Sequence, residues 1–171
     1  MRLASIATAL VLAGCGSPAG ELESLARQRL ALAPEVAWFK HSRGLPIYDP
    51  VRETTLLETV IAEGRAAGLD RETVRRFFSY EMEASRRIQW EWVHAWEKGL
   101  APPGKPPRDL PADLRPRIDE INSAQIRALA DGAPPMGLGQ LSALGERFLP
   151  KKSLSNAAAS APSTPPVTSQ R

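Results

Sequence analysis

Residues 70–96, DRETVRRFFSYEMEASRRIQWEWVHAW, contain neither proline nor glycine. A stripe recurs through them at Val74, Phe78, Glu81/Met82, Ser85, Gln89, Trp92 and Trp96, in steps of three and four. That period belongs to one face of an α-helix and not to a strand, and it predicts a helix of about seven turns, the longest in the chain. Asp70 stands where an N-cap is needed, and Glu72 in the first turn complements the positive end of the helix dipole. Two stripe positions one turn apart, Ser85 and Gln89, are polar where an inward face should be apolar.

The flanking segments continue the helical pattern. Upstream, Leu56, Leu57 and Val60 mark a second helix ending near Ala67–Gly68, with Asp49 placed to cap it and Pro50 in its first turn. Leu45 to Pro50 reads as an extended connector. Before it, Leu22, Leu25, Leu32 and Val36 define a first helix that ends near Arg43–Gly44, and Pro34 predicts a kink or a break within it. Downstream, Gly99 to Pro111 is a proline- and glycine-rich linker, and Leu114, Ile118, Ile121, Gln125 and Leu129 mark a fourth helix closed by Gly132-Ala133-Pro134-Pro135. Residues 140–149 are a candidate short fifth helix. The fold expected is all-α, a bundle of three long helices plus a fourth and this candidate fifth, in one domain over residues 21–150.

The ends read differently. Residues 1–14 have the charged start and short apolar run of a secretory signal peptide, and Leu12-Ala13-Gly14-Cys15 resembles the lipobox of bacterial lipoproteins. That resemblance implies lipidation of Cys15, export to the periplasm and, with Gly16 following, the outer membrane; several acyl chains suffice for stable anchoring. Residues 15–20 are read as a spacer and 151–171 as a disordered tail rich in Ala, Ser, Pro and Thr.

Composition narrows the function. The formal charge of the 171 residues is only +3, and the signs are interleaved, so no basic block suited to nucleic acid stands out. His41, His94 and one cysteine, Cys15, make no zinc-binding spacing, and no metal is expected. With no second cysteine, stability must come from packing.

The polar interruptions carry the functional reading. Arg29 and Lys40 lie on the first helix, eleven residues apart, so they point the same way roughly 16 Å from each other if the helix is continuous. Arg52-Glu53 flanks the stripe of the second helix, Ser85 and Gln89 interrupt the third, and Arg115 adjoins the fourth. Each has an ordinary alternative: a snorkelling arginine, a lysine complementing a helix C-terminus, a small residue at a helix contact, an early-turn acid. As a set they place four cations toward one interior, which would repel one another unless a bound dianion neutralised them.

The order and spacing of Arg29, Lys40, Asp49-x-x-Arg52-Glu53 and Ser85-x-x-x-Gln89 resemble the active-site pattern of the all-helical chorismate mutases. Arg115, in Arg115-x-x-Ile118-Asp119, resembles the arginine with which the exported, periplasmic subclass completes its pocket from a later helix of the same chain. The resemblance spans roughly Leu22 to Leu129. It implies an isomerase that rearranges chorismate to prephenate with no cofactor, in a homodimer that meets the membrane only through its lipid. It further implies that Lys40 and Gln89 are catalytic, and that Arg29, Arg52, Glu53, Asp49, Ser85 and Arg115 bind substrate. The competing expectation is a non-catalytic helical lipoprotein that binds an anionic ligand or an envelope partner. Trp38, Trp90, Trp92 and Trp96 are expected to pack the core and a dimer contact.

Overall fold

The computed structural model describes residues 17–151; the expected signal peptide, Cys15 and, apart from Lys151, the expected tail lie outside the described residues. Among the described residues every regular element is helical: α1 (Pro18–Ala31), α2 (Ala33–Ser42), α3 (Pro50–Ala66), α4 (Arg71–Glu97), α5 (Arg115–Ala130) and α6 (Leu138–Gly145). A π-turn over Leu110–Leu114 leads into α5, and a 3-10 turn over Glu146–Phe148 follows α6.

Local chemistry accounts for the boundaries. Ser17 caps α1, its Oγ accepting from the Gly20 N–H at 3.2 Å, with Pro18 following as a preorganised first residue. Residues 17–20 are therefore the cap and first turn of α1, which corrects their assignment to a spacer. The expected first helix is divided into α1 and α2 at Leu32. Pro34 lacks the N–H that would bond the Leu30 carbonyl and crowds that carbonyl with its ring. Leu32 nevertheless keeps right-handed helical angles, φ −80° and ψ −18°, so α2 continues roughly along α1. Asp49 caps α3 by accepting from the Arg52 N–H at 3.0 Å, and Asp70 caps α4 by accepting from the Thr73 N–H at 2.8 Å.

The central helix is α4, with 27 residues, packed against α2, α3 and α6, while α1 packs against α5. Its buried face is broader than the stripe read from sequence and includes Phe77, Ala84, Ile88 and Val93. The extra width serves α6: a Cβ on Gly145 would lie 3.2 Å from Ile88 Cδ1, so this glycine lets the short helix approach closely. A second close approach joins α3 to α4, where a Cβ on Gly64 would meet Val74 Cγ2 at 2.7 Å. Phe77, Phe78, Leu22, Leu30, Ile88, Leu114, Ile126 and Leu141 are the largest fully buried apolar side chains.

Two further expectations need correction. Pro111 belongs to the π-turn and not to the linker, because Asp109 caps that turn by accepting from the Ala112 N–H at 2.8 Å and a first-turn proline has no N–H to leave unpaired. Trp90 does not pack the core; it is 55% exposed, being on the outer face of α4. Trp96 is buried against Trp38 and Trp92, and Trp38 Nε1 donates to the Lys105 carbonyl at 3.1 Å, holding the linker to α2.

Candidate active site

One cavity lies where α1 to α5 meet. It is lined by Arg29, Leu32, Ala33, Val36, Lys40, Ile47, Asp49, Arg52, Glu53, Leu56, Met82, Ser85, Arg86, Gln89, Leu110, Arg115 and Ile118. All eight side chains singled out in the sequence are therefore brought to the same cavity: Arg29 from α1, Lys40 from α2, Asp49, Arg52 and Glu53 from the start of α3, Ser85 and Gln89 from α4, and Arg115 from α5. The break at Leu32 does not turn Lys40 away from Arg29, since the helical sense is preserved across it.

The cations are held in different ways. Lys40 Nζ donates to the Ile47 carbonyl at 2.6 Å. Burial pushes the Lys40 ammonium below its ordinary value, Asp49 and then Glu53 oppose that, and Arg115 adds to it. Arg52 meets Asp119 of α5 at 3.2 Å, where both side chains are partly solvated and the pair adds little stability. Arg29, only 6% exposed, donates from Nε to Asn122 Oδ1 at 2.9 Å. Arg115 forms no ion pair within 4.0 Å among the described residues.

Arg115 owes its place to the π-turn. The Leu114 N–H bonds the Asp109 carbonyl five residues back at 3.1 Å, a wide turn of a kind often found at functional sites. It turns Leu110 and Arg115 toward the cavity. The linker before it is fastened to α2 by Arg108, whose Nε lies 3.0 and 3.1 Å from the two Glu35 carboxylate oxygens.

Gln89 Nε2 donates to Ser85 Oγ at 3.1 Å, while Gln89 Oε1 is buried without a hydrogen-bond partner among the described residues. A hydroxyl donates as readily as it accepts. Half a turn of the amide would let Ser85 donate to Oε1 and leave both N–H groups for a ligand.

Four side chains at or behind the cavity were not singled out from sequence. Arg86 donates to Glu53 Oε2 at 2.8 Å and its guanidinium lies 5.2 Å from the centre of the Tyr48 ring. Following Ser85 on a helix, it reads as a surface arginine. Glu81, Asn122 and Gln125 are buried; Glu81 and Gln125 stood in their stripes, and that was their only signal. With Arg86 the lining holds Arg29, Lys40, Arg52, Arg86 and Arg115 against Asp49 and Glu53. A cavity with that balance, a hydroxyl and a primary amide is built to hold an anion carrying several charges.

The chain is similar to known proteins of one kind. The sequence profile of the chorismate mutase type II family matches residues 20–90. Among curated proteins, the secreted chorismate mutase of Yersinia pestis is 26% identical over 122 residues, covering 71% of this chain and 64% of that protein. The secreted chorismate mutase of Mycobacterium tuberculosis is 30% identical over 124 residues, covering 72% of this chain and 62% of that protein. The chain thus spans a little under two thirds of these curated relatives. Among solved structures, the chorismate mutase from Burkholderia thailandensis superposes with a TM-score of 0.66 at 34% identity, covering 78% of this chain and 84% of that one.

Proposed function

This chain belongs to the chorismate mutase type II family, and from that premise we propose that it converts chorismate to prephenate in the cavity between α1 and α5. The observation that carries this reading is the convergence of Lys40 and Gln89, donors from two helices, on one cavity with the cations Arg29 and Arg115. The reaction is an intramolecular [3,3] rearrangement: one C–O bond breaks, one C–C bond forms, and no proton moves. It calls for no nucleophile and no base. What a protein supplies is a fixed folded conformer of the substrate and charge placed where charge develops.

Arg29 and Arg115 hold the two substrate carboxylates, Arg52 reinforces that cationic wall, and Ser85 donates to a carboxylate. Glu53, with Asp49 beside it, accepts from the ring hydroxyl, while Arg86 occupies the other oxygen of Glu53. Lys40 and Gln89 donate to the ether oxygen, which gains negative charge as its bond to the ring carbon lengthens. That interaction is stronger in the transition state than in the bound substrate, so it raises turnover and not affinity alone. The deciding experiment follows chorismate absorbance with purified residues 16–171. Loss of chorismate with prephenate formed supports the reading; saturable binding without conversion supports the ligand-binding alternative.

The donor types set a pH profile. Gln89 does not ionise, so turnover at saturating chorismate should stay level between about pH 5 and 8, where an unperturbed glutamate in its place would have lost its proton. Lys40 sets the alkaline limb. Its ammonium is depressed, so the donor charge is lost as pH rises through a value below that of an ordinary lysine. Stopped assays across the range test this, and a steep decline between pH 5 and 8 would remove Gln89 from the ether oxygen.

The proposed location is the periplasm, through the signal-like residues 1–14 and a lipid on Cys15 that holds the chain to the outer membrane. Its support is the Leu12-Ala13-Gly14-Cys15 motif and the secreted relatives. Release of a Cys15→Ser form from the membrane fraction is the expected result, and persistence there counts against lipidation. Assembly as a homodimer is proposed from family likeness alone, and light scattering on the purified chain tests it.

A further inference from the structure

Glu81 is fully buried on α4, one turn before Ser85, and it does not line the cavity. Its Oε1 accepts from Gln125 Nε2 of α5 at 2.6 Å. Its Oε2 lies 3.4 Å from Arg29 Nε and has no hydrogen-bond partner within the described residues. Asn122, one turn before Gln125 on α5, accepts from that same Arg29 Nε at 2.9 Å. Two buried polar side chains from two helices, Glu81 and Asn122, thus flank the Nε of Arg29, a residue that lines the cavity, and Gln125 holds Glu81 in turn.

Stability gives no reason for this arrangement. A fully buried carboxylate costs several kcal/mol in desolvation, and burial drives the Glu81 carboxyl above the usual carboxylate range against the pull of Arg29 and Gln125. Leucine or methionine would fill the position at lower cost, as Met82 does beside it. A guanidinium free to swing among rotamers would lose much of its grip on a small rigid anion, because misplacement by about 1 Å is expensive in a preorganised site. A support on the Nε edge removes that freedom.

We propose that Glu81, together with Asn122 and Gln125, is a positioning group for Arg29: it fixes the Nε edge of the guanidinium so that the remaining N–H groups present a fixed fork to a substrate carboxylate. Glu81 acts through Arg29 and touches no reacting atom. The proposal rests on the assignment of Arg29 to a substrate carboxylate made above.

The test is a double-mutant cycle on the full chain with chorismate. Glu81→Leu should lower kcat/KM roughly tenfold, within the usual range for coupled neighbours, mostly through KM. Glu81→Gln keeps the volume and the oxygen that accepts from Gln125 but turns an N–H donor toward Arg29 Nε, and should fall between the parent and Glu81→Leu. In an Arg29→Ala background, Glu81→Leu should cost nothing further. An equal loss in both backgrounds would overturn the proposal, as would parent-like kinetics with only a lowered Tm. If Glu81→Leu does not fold, Asn122→Ala asks the same question from the other side of Nε and should show the same dependence on Arg29. If the parent chain binds chorismate without converting it, the catalytic reading fails on its own, and the cycle is read from calorimetric Kd values. No binding at all would end both.

Discussion

Replacing Lys40 with Ala is expected to cut turnover on chorismate by about 10²-fold or more, the scale for losing one preorganised donor from a developing negative charge. The size follows from where the ammonium sits. Lys40 is partly withdrawn from water in a cavity whose lining includes Ile47, Val36 and Leu110, so its charge acts through a medium that screens it poorly. Its bond to the Ile47 carbonyl uses one of three donors and aims the remainder. Loss of that bond removes about 1 kcal/mol of stability, offset because a charge held against desolvation is also removed, so Tm should change little. KM should move less than kcat, since the ether oxygen carries little charge before its bond lengthens. Turnover close to the parent's in a folded Lys40→Ala chain would take Lys40 out of the mechanism.

The helices were legible because their signals are local. Asp49 before Pro50, Asp70 before a proline-free run and Gly132 ahead of Pro134-Pro135 each act within a turn or two of the boundary they set. The polar residues of the cavity were legible because they break apolar stripes, and a broken stripe is visible without knowing what lies opposite. What escaped the sequence depends on contacts between elements. Glu81 gains its meaning from Asn122 and Gln125, more than forty residues later, which no pattern on α4 foretells. The partner of Arg86 is Glu53, thirty-three residues earlier, and without that contact Arg86 is an ordinary helix-surface cation. Trp90 lies outside the core for a related reason: aromatic residues clustered along one helix suggest one packed face, yet Trp90 and Trp92 are two residues apart and emerge on different sides.

Arg115→Ala is the change expected to damage substrate capture most, lowering kcat/KM by roughly 10²-fold or more with KM raised and kcat reduced. Arg115 is half-buried at the start of α5, with no carboxylate of the described residues within ion-pairing distance. With no carboxylate paired to Arg115, the fold gains little from its charge, and its removal should leave Tm close to the parent's. An anion in the cavity would give that charge a partner, because the guanidinium can offer a carboxylate two parallel N–H groups. Arg115→Lys should recover only part of the loss, since an ammonium keeps the charge but cannot form the paired hydrogen bonds of a guanidinium with a carboxylate. A lowered Tm with unchanged kinetics in Arg115→Ala would mean that this arginine serves the junction between the π-turn and α5, and that the cavity closes around its ligand without it.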